Sequence, residues 1–343
     1  GRGNVYLSEP LFPGLPSKKA FRSWRAGIVG GRVIFPMKRL VVNADDFGAD
    51  GGRNRGIAAA VAAGAVTAVS VLVNGPAFVE GLPCLHDWQR RGISVGLHLN
   101  LSEGRPLVKD LRILVGEDAC FYGKVVTQTL LMQRGNQDLE REIARETEAQ
   151  INLLQGKGIK IAHLDGHQHV HIFPAAVAAV VQAAARHGIP RFRIPEEMPP
   201  ESNPVFIHGR NCDHAGATVP ECGPSSPGDT LLREGALFSR LAAAARPLLA
   251  AAGVGTTDHF RGLFLKGRMT LPLLKALLKN LPAGLTELMV HPGAAPHNPG
   301  SGPFAAFATV DRQRELEVLL APAFPVLLKR YGITLTSLRE TAS

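Results

Sequence analysis

Four short apolar runs in this chain end in the same way, and that shared ending restricts the fold more than any bulk property. Each run has the length of a β-strand. Each closes on polar residues that a buried strand does not need: Asn43-Ala44-Asp45-Asp46, Gly96-Leu97-His98-Leu99-Asn100, the stretch His163 to His171, and Met289-Val290-His291-Pro292-Gly293. Between them lie alanine-, valine- and leucine-rich stretches with helical spacing. Alternating strands and helices predict a mainly parallel sheet covered by helices. In such sheets the carboxyl ends of the strands share one edge, whether the sheet is open or closed. The class is α/β; an open doubly wound sheet and a TIM-like (β/α) barrel both fit, and what the barrel adds is closure, which would bring all four ends around one pocket.

The pattern is regular from Arg39 onward. Predicted strands are Arg39–Asn43, Thr67–Asn74, Ile93–Leu99, Lys160–Asp165, Arg191–Ile194, Thr286–Val290 and Ile333–Leu338. Predicted helices are Asn54–Gly64, a segment around Ala77–Arg91, Asp138–Leu154, Pro174–Gly188, Leu231–Ala252, Leu271–Leu281 and a proline-interrupted region over Val310–Tyr331. Pro106–Gly123 has no sustained period. Residues 196–230 carry Pro199, Pro200, Pro204, Pro220, Pro224 and Pro227, and are read as a surface insertion over a single barrel domain, 37–343.

The densest polar motif is H-L-D-G-H-Q-H-V-H. His163, Asp165, His167, His169 and His171 fall on every second residue. An extended chain would turn all of them to one side, whereas a helix would scatter them. Neutral imidazole is a common metal ligand, and a nearby carboxylate either joins the ligands or orients a ring. A solvated loop with a chance run of histidines is the plainer alternative, but four of the chain's twelve histidines sit in this one stretch. The period alone does not choose among His163, His167, His169 and His171.

Charge and cysteine usage remove other classes. The net charge of +9 suggests a nucleic-acid partner until it is located. Residues 1–36 hold Arg2, Lys18, Lys19, Arg22, Arg25 and Arg32 against Glu9 alone, leaving an ordinary balance in the rest, with no basic stripe interleaved with aromatics. This opening stretch reads as a leader or extension, with Met37 as the expected natural start. Its basic, acid-poor character also suits an organelle presequence. Cys84, Cys120, Cys212 and Cys222 form no C-x-x-C pair, which argues against a zinc ribbon or a disulfide scaffold. No apolar run approaches the roughly 20 residues of a membrane helix. A cytoplasmic enzyme without nucleic-acid or membrane partners is expected.

Two histidines and a carboxylate leave open positions on a divalent ion, where a water becomes a nucleophile near neutral pH. Of two adjacent aspartates, one can bind the ion while the other serves as general base; an extended backbone would not let both face it. A histidine across the rim, such as His291, could protonate a leaving group. Phosphate-binding glycine loops and the G-x-S-x-G elbow are both absent from the sequence.

V-N-A-D-D-F-G, V-G-L-H-L-N-L-S-E-G-R-P, H-L-D-G-H-Q-H-V-H and E-L-M-V-H-P-G, in this order, resemble the motifs of the YdjC-like carbohydrate deacetylases. The resemblance spans roughly Lys38 to Leu338. It implies a barrel related to the polysaccharide deacetylases and removal of an N-acetyl group from an amino sugar or short chitooligosaccharide. It also implies one divalent ion, with magnesium first and zinc second; a homodimer is a separate expectation. Placed on this sequence, it makes Asp46, His98 and His167 the metal ligands, Asp45 the base for metal-bound water, and His291 the acid. His169 and His171 would line or support the site. Arg105 and Arg193 would be sugar-contacting or structural. The Pro-rich 196–230 segment departs from the family pattern and leaves the sugar undetermined.

Three rivals remain. A phosphoesterase or other amidohydrolase would want a second metal or a basic phosphate clamp. A glycosidase needs two separated carboxylic acids, whereas Asp45 and Asp46 are adjacent. An inactive barrel that binds carbohydrate or protein would keep the fold without the reaction.

Overall fold

The computed structural model describes residues 27–29, 32–34, 37–197, 227–294, 302–305 and 310–339. The chain divides into two compact units, Gly1–Met37 and Lys38–Ser343. Within the first, β1 (Gly27–Val29) and β2 (Arg32–Ile34) pair antiparallel. Most of the expected leader, and positions 198–226 of the expected insertion, lie outside the described residues.

The second unit is built on β3 (Lys38–Phe47), which runs parallel to β4 (Ala68–Val71) on one side and β8 (Gly284–Val290) on the other. The ladder continues from β4 to β5 (Ser94–Leu99) and β6 (Leu164–Gly166), and from β8 to β7 (His259–Arg261), all parallel. β9 (Ile333–Leu335) branches onto the start of β3. Two parallel bridges, Leu164 with Phe192 and Arg191 with Gly255, link β6 across to the segment that leads into β7. The sheet thereby curls into a barrel, as the clustered strand ends predict. Leu40, Val41, Val42, Ala44 and Phe47 of β3 are fully buried, the near-continuous apolar run of a strand covered on both faces.

Helices pack outside through faces legible in the sequence. In the helix Gln137–Gly156, Asn136 caps the start by accepting from the Leu139 amide at 3.1 Å, and Leu139, Ile143, Ile151 and Leu154 are buried. Glu142 and Glu146 of the same helix accept backbone amides of Leu107, Val108, Arg112, Ile113 and Leu114, which fixes the aperiodic stretch after β5. The helix Gly51–Ala62 approaches the H-P-G turn so closely that a Cβ on Gly56 would lie 2.4 Å from the Gly293 Cα. Only glycine fits there.

Two elements lie outside the expected set, and one expected strand is corrected. Lys124–Leu131 is a helix although Val125, Val126, Thr127 and Thr129 are β-branched and weak helix formers. β7, H-F-R, has only three residues, too few to read as a strand from sequence. The Lys160–Asp165 strand shortens to Leu164–Gly166, and the chain then leaves extended geometry: His167–Ile172 is a 3-10 segment with Gln168 at φ 53° and His169 at φ 59°. The period-two argument therefore holds for His163 and Asp165 and fails beyond Gly166.

Candidate active site

Arg193 sits at the centre of the barrel interior with its side chain fully buried. Its Nη1 donates to Asp45 Oδ2 at 2.7 Å and its Nη2 to Asp45 Oδ1 at 2.8 Å. Nη2 also pairs with Asp165 at 2.8 Å and Nε with Glu287 at 2.7 Å, while the Phe260 ring lies 5.6 Å from the guanidinium carbon. Burial alone would lower the Arg193 pKa, but Asp165, Asp45 and Glu287 raise it well above its ordinary value. Burial would push Asp165 upward; Arg193 and His98 instead hold it far below the usual carboxylate range. One buried side chain thus ties β3, β6 and β8 together.

The adjacent aspartates of β3 divide at a backbone irregularity. The register of β3 against β4 shifts between Ala44 and Phe47, and Asp46 has φ 72°. This twist brings both carboxylates to the same cavity, which a regular strand would forbid. Asp46 Oδ1 lies 2.9 Å from His167 Nδ1 and 3.3 Å from His98 Nε2, and Arg312 holds Oδ2. Against the penalty of burial, Arg312 and His167 keep Asp46 well below the ordinary carboxylate range.

His98 is oriented from behind: its Nδ1 and Asp165 Oδ1 are 2.7 Å apart, which leaves Nε2 toward Asp46. Burial would lower its pKa, but Asp165 and Asp45 raise it to about 10. His163, just before β6, has its Nε2 3.0 Å from Ser70 Oγ, and burial holds it down to about 4.

Asp45, Asp46, His98, His167, His169 and His291 line one cavity of ≈ 210 Å³. Backbone strain gathers around it: of the described non-glycine residues with positive φ (Asp46, Ala119, Gln168, His169 and Phe304), all but Ala119 line this cavity. Such strain persists only where surrounding structure enforces it, and it concentrates at functional sites. His171 lies below the cavity floor and shares a hydrogen bond with the Arg193 carbonyl at 3.1 Å. Burial lowers the His171 pKa to about 3 and that of His169 well below its usual value. Burial, then Arg312 and Lys266, hold His291 well below ordinary imidazole.

Two groups of side chains have the spacing to hold a metal ion: Asp46, His98 and His167, and Asp45, His98 and Asp165. In the second, Arg193 already occupies both carboxylates. The first opens onto the cavity and fits an ion. Its oxygen-to-nitrogen separations of 2.9 and 3.3 Å match the spacing of neighbouring ligands that each stand about 2.0–2.2 Å from a common centre. His167 Nε2, the other ring nitrogen, stands 3.7 Å from Glu103 Oε1.

Residues 39–330 match the family model of YdjC-like proteins. The chain belongs to the YdjC-like family. A human relative named carbohydrate deacetylase is 34% identical over 324 residues, covering 90% of this chain and 92% of that protein. A chitooligosaccharide deacetylase from Enterobacter sp. (strain 638) is 38% identical over 153 residues, 44% of this chain and 58% of that one. A solved structure from Enterococcus faecalis V583, described as a candidate cellobiose-phosphate cleavage protein, has a TM-score of 0.65 at 20% identity, covering 90% of this chain and all of that one. It shows the same fold.

Besides His171, two of the expected site residues, Arg193 and Arg105, do not line the cavity. Arg193 is fully buried and paired with Asp45, Asp165 and Glu287. Arg105 is exposed and borders a separate outer hollow. Sequence reading missed Arg312, Lys266, Glu103 and Phe304, all of which line the cavity. Glu103 stood within the quoted E-G-R-P motif. Arg312 lies on the helix Val310–Leu320, where nothing distinguishes it from the neighbouring Arg314.

Proposed function

We propose that this YdjC-like chain is a metal-dependent carbohydrate deacetylase that hydrolyses the N-acetyl group of an amino sugar or short chitooligosaccharide. The observation that carries this reading is the separation of Asp45 from Asp46: neighbours in sequence, they face one cavity yet have different partners. Asp46, with His98 and His167, would hold the ion. When bound, a divalent ion lowers the pKa of water and polarises an amide carbonyl.

The protein groups supply the rest. Asp45 Oδ2 stands 4.0 Å from His98 Nε2, beside the proposed ion position, where it can accept a proton from attacking water. The Arg193 fork fixes the orientation of that carboxylate. His291, on the same cavity wall, is placed to serve the departing amine; burial, then Arg312 and Lys266, disfavour its protonated form, so it must gain a proton before giving one up. His169, set against Phe238 at a ring separation of 4.7 Å, forms a less polar wall.

Family resemblance points to magnesium. One carboxylate and two imidazoles also suit zinc and other first-row ions. A cytoplasmic setting and a homodimer complete the proposal. The deciding test is acetate release from N-acetylated sugars, monomer to trimer, with and without chelator, beside metal analysis. Chelator-sensitive release supports the reading. No release from any member by a protein that holds one stoichiometric ion would remove the substrate class.

A further inference from the structure

The cavity and a second hollow meet across shared walls. Glu103, Lys124, Gln168 and Phe304 line both, and the outer hollow extends to Arg105 and Tyr122. The inner space, at ≈ 210 Å³, is the size of about one sugar ring, while the outer one is ≈ 790 Å³. A chain of sugars whose acetamido group reaches Asp45 must continue somewhere, and the shared wall leads it outward.

Tyr122 is 43% exposed, a large aromatic ring at the edge of this hollow. Its backbone is fastened on both sides: the Phe121 amide donates to the Gly104 carbonyl at 2.8 Å, and the Gly123 amide to the Ser102 carbonyl at 2.8 Å. A bridge between Val115 and Phe121 braces the same turn, and the ring edge rests against Gly116, where a Cβ would lie 3.4 Å from Tyr122 Cε1. An exposed aromatic ring on a rigid backbone loses little entropy when a flat apolar face is laid on it. The hydroxyl-poor face of a pyranose is such a surface. Asn74 and Arg105 are joined at the same rim by a 3.0 Å hydrogen bond from Asn74 Nδ2 to the Arg105 carbonyl. The exposed Arg105 side chain stands there as a donor for sugar hydroxyls.

We infer that the outer hollow is a second sugar subsite in which Tyr122 carries the ring linked to the one being deacetylated. The inference rests on the deacetylase reading for its direction, and it makes an oligosaccharide, rather than a free amino sugar, the preferred substrate.

The test pairs calorimetric binding with kinetics, using N-acetylglucosamine and its β-1,4 dimer on the full chain. The dimer binds more tightly than the monomer, and Tyr122→Ala lowers the ratio of dimer to monomer kcat/KM by about five- to tenfold, as expected for loss of one aromatic anchor. The loss falls on KM, and Tyr122→Phe restores it. Dimer binding no tighter than monomer binding, or an unchanged ratio in a folded Tyr122→Ala protein, overturns the subsite. Wild-type protein that releases no acetate yet binds the dimer preferentially, and loses that preference in Tyr122→Ala, sinks the reaction while upholding the subsite.

Discussion

Arg193 grips Asp45 with both arms of its guanidinium, Nη1 to Oδ2 at 2.7 Å and Nη2 to Oδ1 at 2.8 Å. A carboxylate held this way keeps a fixed plane, which aims its lone pairs as the proposed base requires. Replacing Asp45 by Asn removes the proton acceptor and should lower kcat by roughly 10²–10⁴-fold while bound metal persists. Steady-state kinetics with metal analysis checks both halves. Unchanged turnover would take Asp45 out of the mechanism.

Arg193→Lys keeps a positive charge but cannot reproduce two parallel bonds to Asp45 together with bonds to Asp165 and Glu287. The expected effect is a fall in kcat with KM little altered, and a lower melting temperature. Arg193→Met goes further and leaves buried carboxylates without their counter-charge, a loss of about 3–5 kcal/mol. Chemical denaturation of both variants tests the order: wild type, then Lys, then Met. A Met variant as stable as wild type would show that the cluster does not depend on its arginine.

Much of this site was legible because residue type and strand position are encoded locally. Asp45, Asp46, His98 and His291 each follow an apolar run, and each lines the cavity the strand ends predict. Their exact partners were not legible, because long-range closure decides them. Arg193 reaches Asp45 across the barrel, and Arg312 reaches Asp46 from a helix near the end of the chain. The histidine stretch shows the limit of periodicity most clearly. Its alternation is real in the sequence, but Gln168 and His169 adopt left-handed backbone angles, so His167 lies against Asp46 while His171 turns toward the Arg193 carbonyl. Likewise, the pairing of Asp45 with Asp46 on one cavity depends on the strand irregularity, which no side-chain pattern announces.

Gly96 is a sharper test of packing inside the barrel. A Cβ there would lie 2.3 Å from His163 Nε2 and 2.4 Å from both neighbouring ring carbons, and the ring is tethered to Ser70 at 3.0 Å. Gly96→Ala should cost roughly 1–3 kcal/mol through overpacking. Adding His163→Ala removes the obstacle, so the double variant should lose less than the sum of the two singles. Strict additivity in urea denaturation would show that the two residues do not meet.

Metal binding should appear as stability, since the three donors converge only in the folded chain. An ion at a hundredfold excess over its Kd adds about 2.7 kcal/mol. Thermal denaturation should therefore shift upward with added divalent ion and downward with chelator. His167→Ala should lose most of that shift, because it removes one of the three donors. An equal shift in the variant would place the ion elsewhere.

Glu197 provides a pH signature distant from the proposed ligands. Its carboxylate is buried and accepts the Gly262 amide at 3.0 Å and the Leu263 amide at 2.8 Å. Burial nevertheless raises its pKa from 4.5 to about 7, with Arg261 and the amides opposing the rise. The folded chain therefore keeps this proton to higher pH than the unfolded chain does. The associated stability is fully present below the unfolded value and is lost as pH rises through about 7. The slope of that loss is at most about 1.4 kcal/mol per pH unit for one group. Glu287, which burial also raises to about 7, contributes in the same direction and is unchanged in a Glu197 variant. Glu197→Gln has no proton to lose, so wild-type stability minus variant stability should fall from pH 5 to pH 7 and then level off. Urea denaturation at half-unit pH intervals measures the difference. A constant difference over that range would mean that Glu197 keeps an ordinary carboxylate pKa despite its burial.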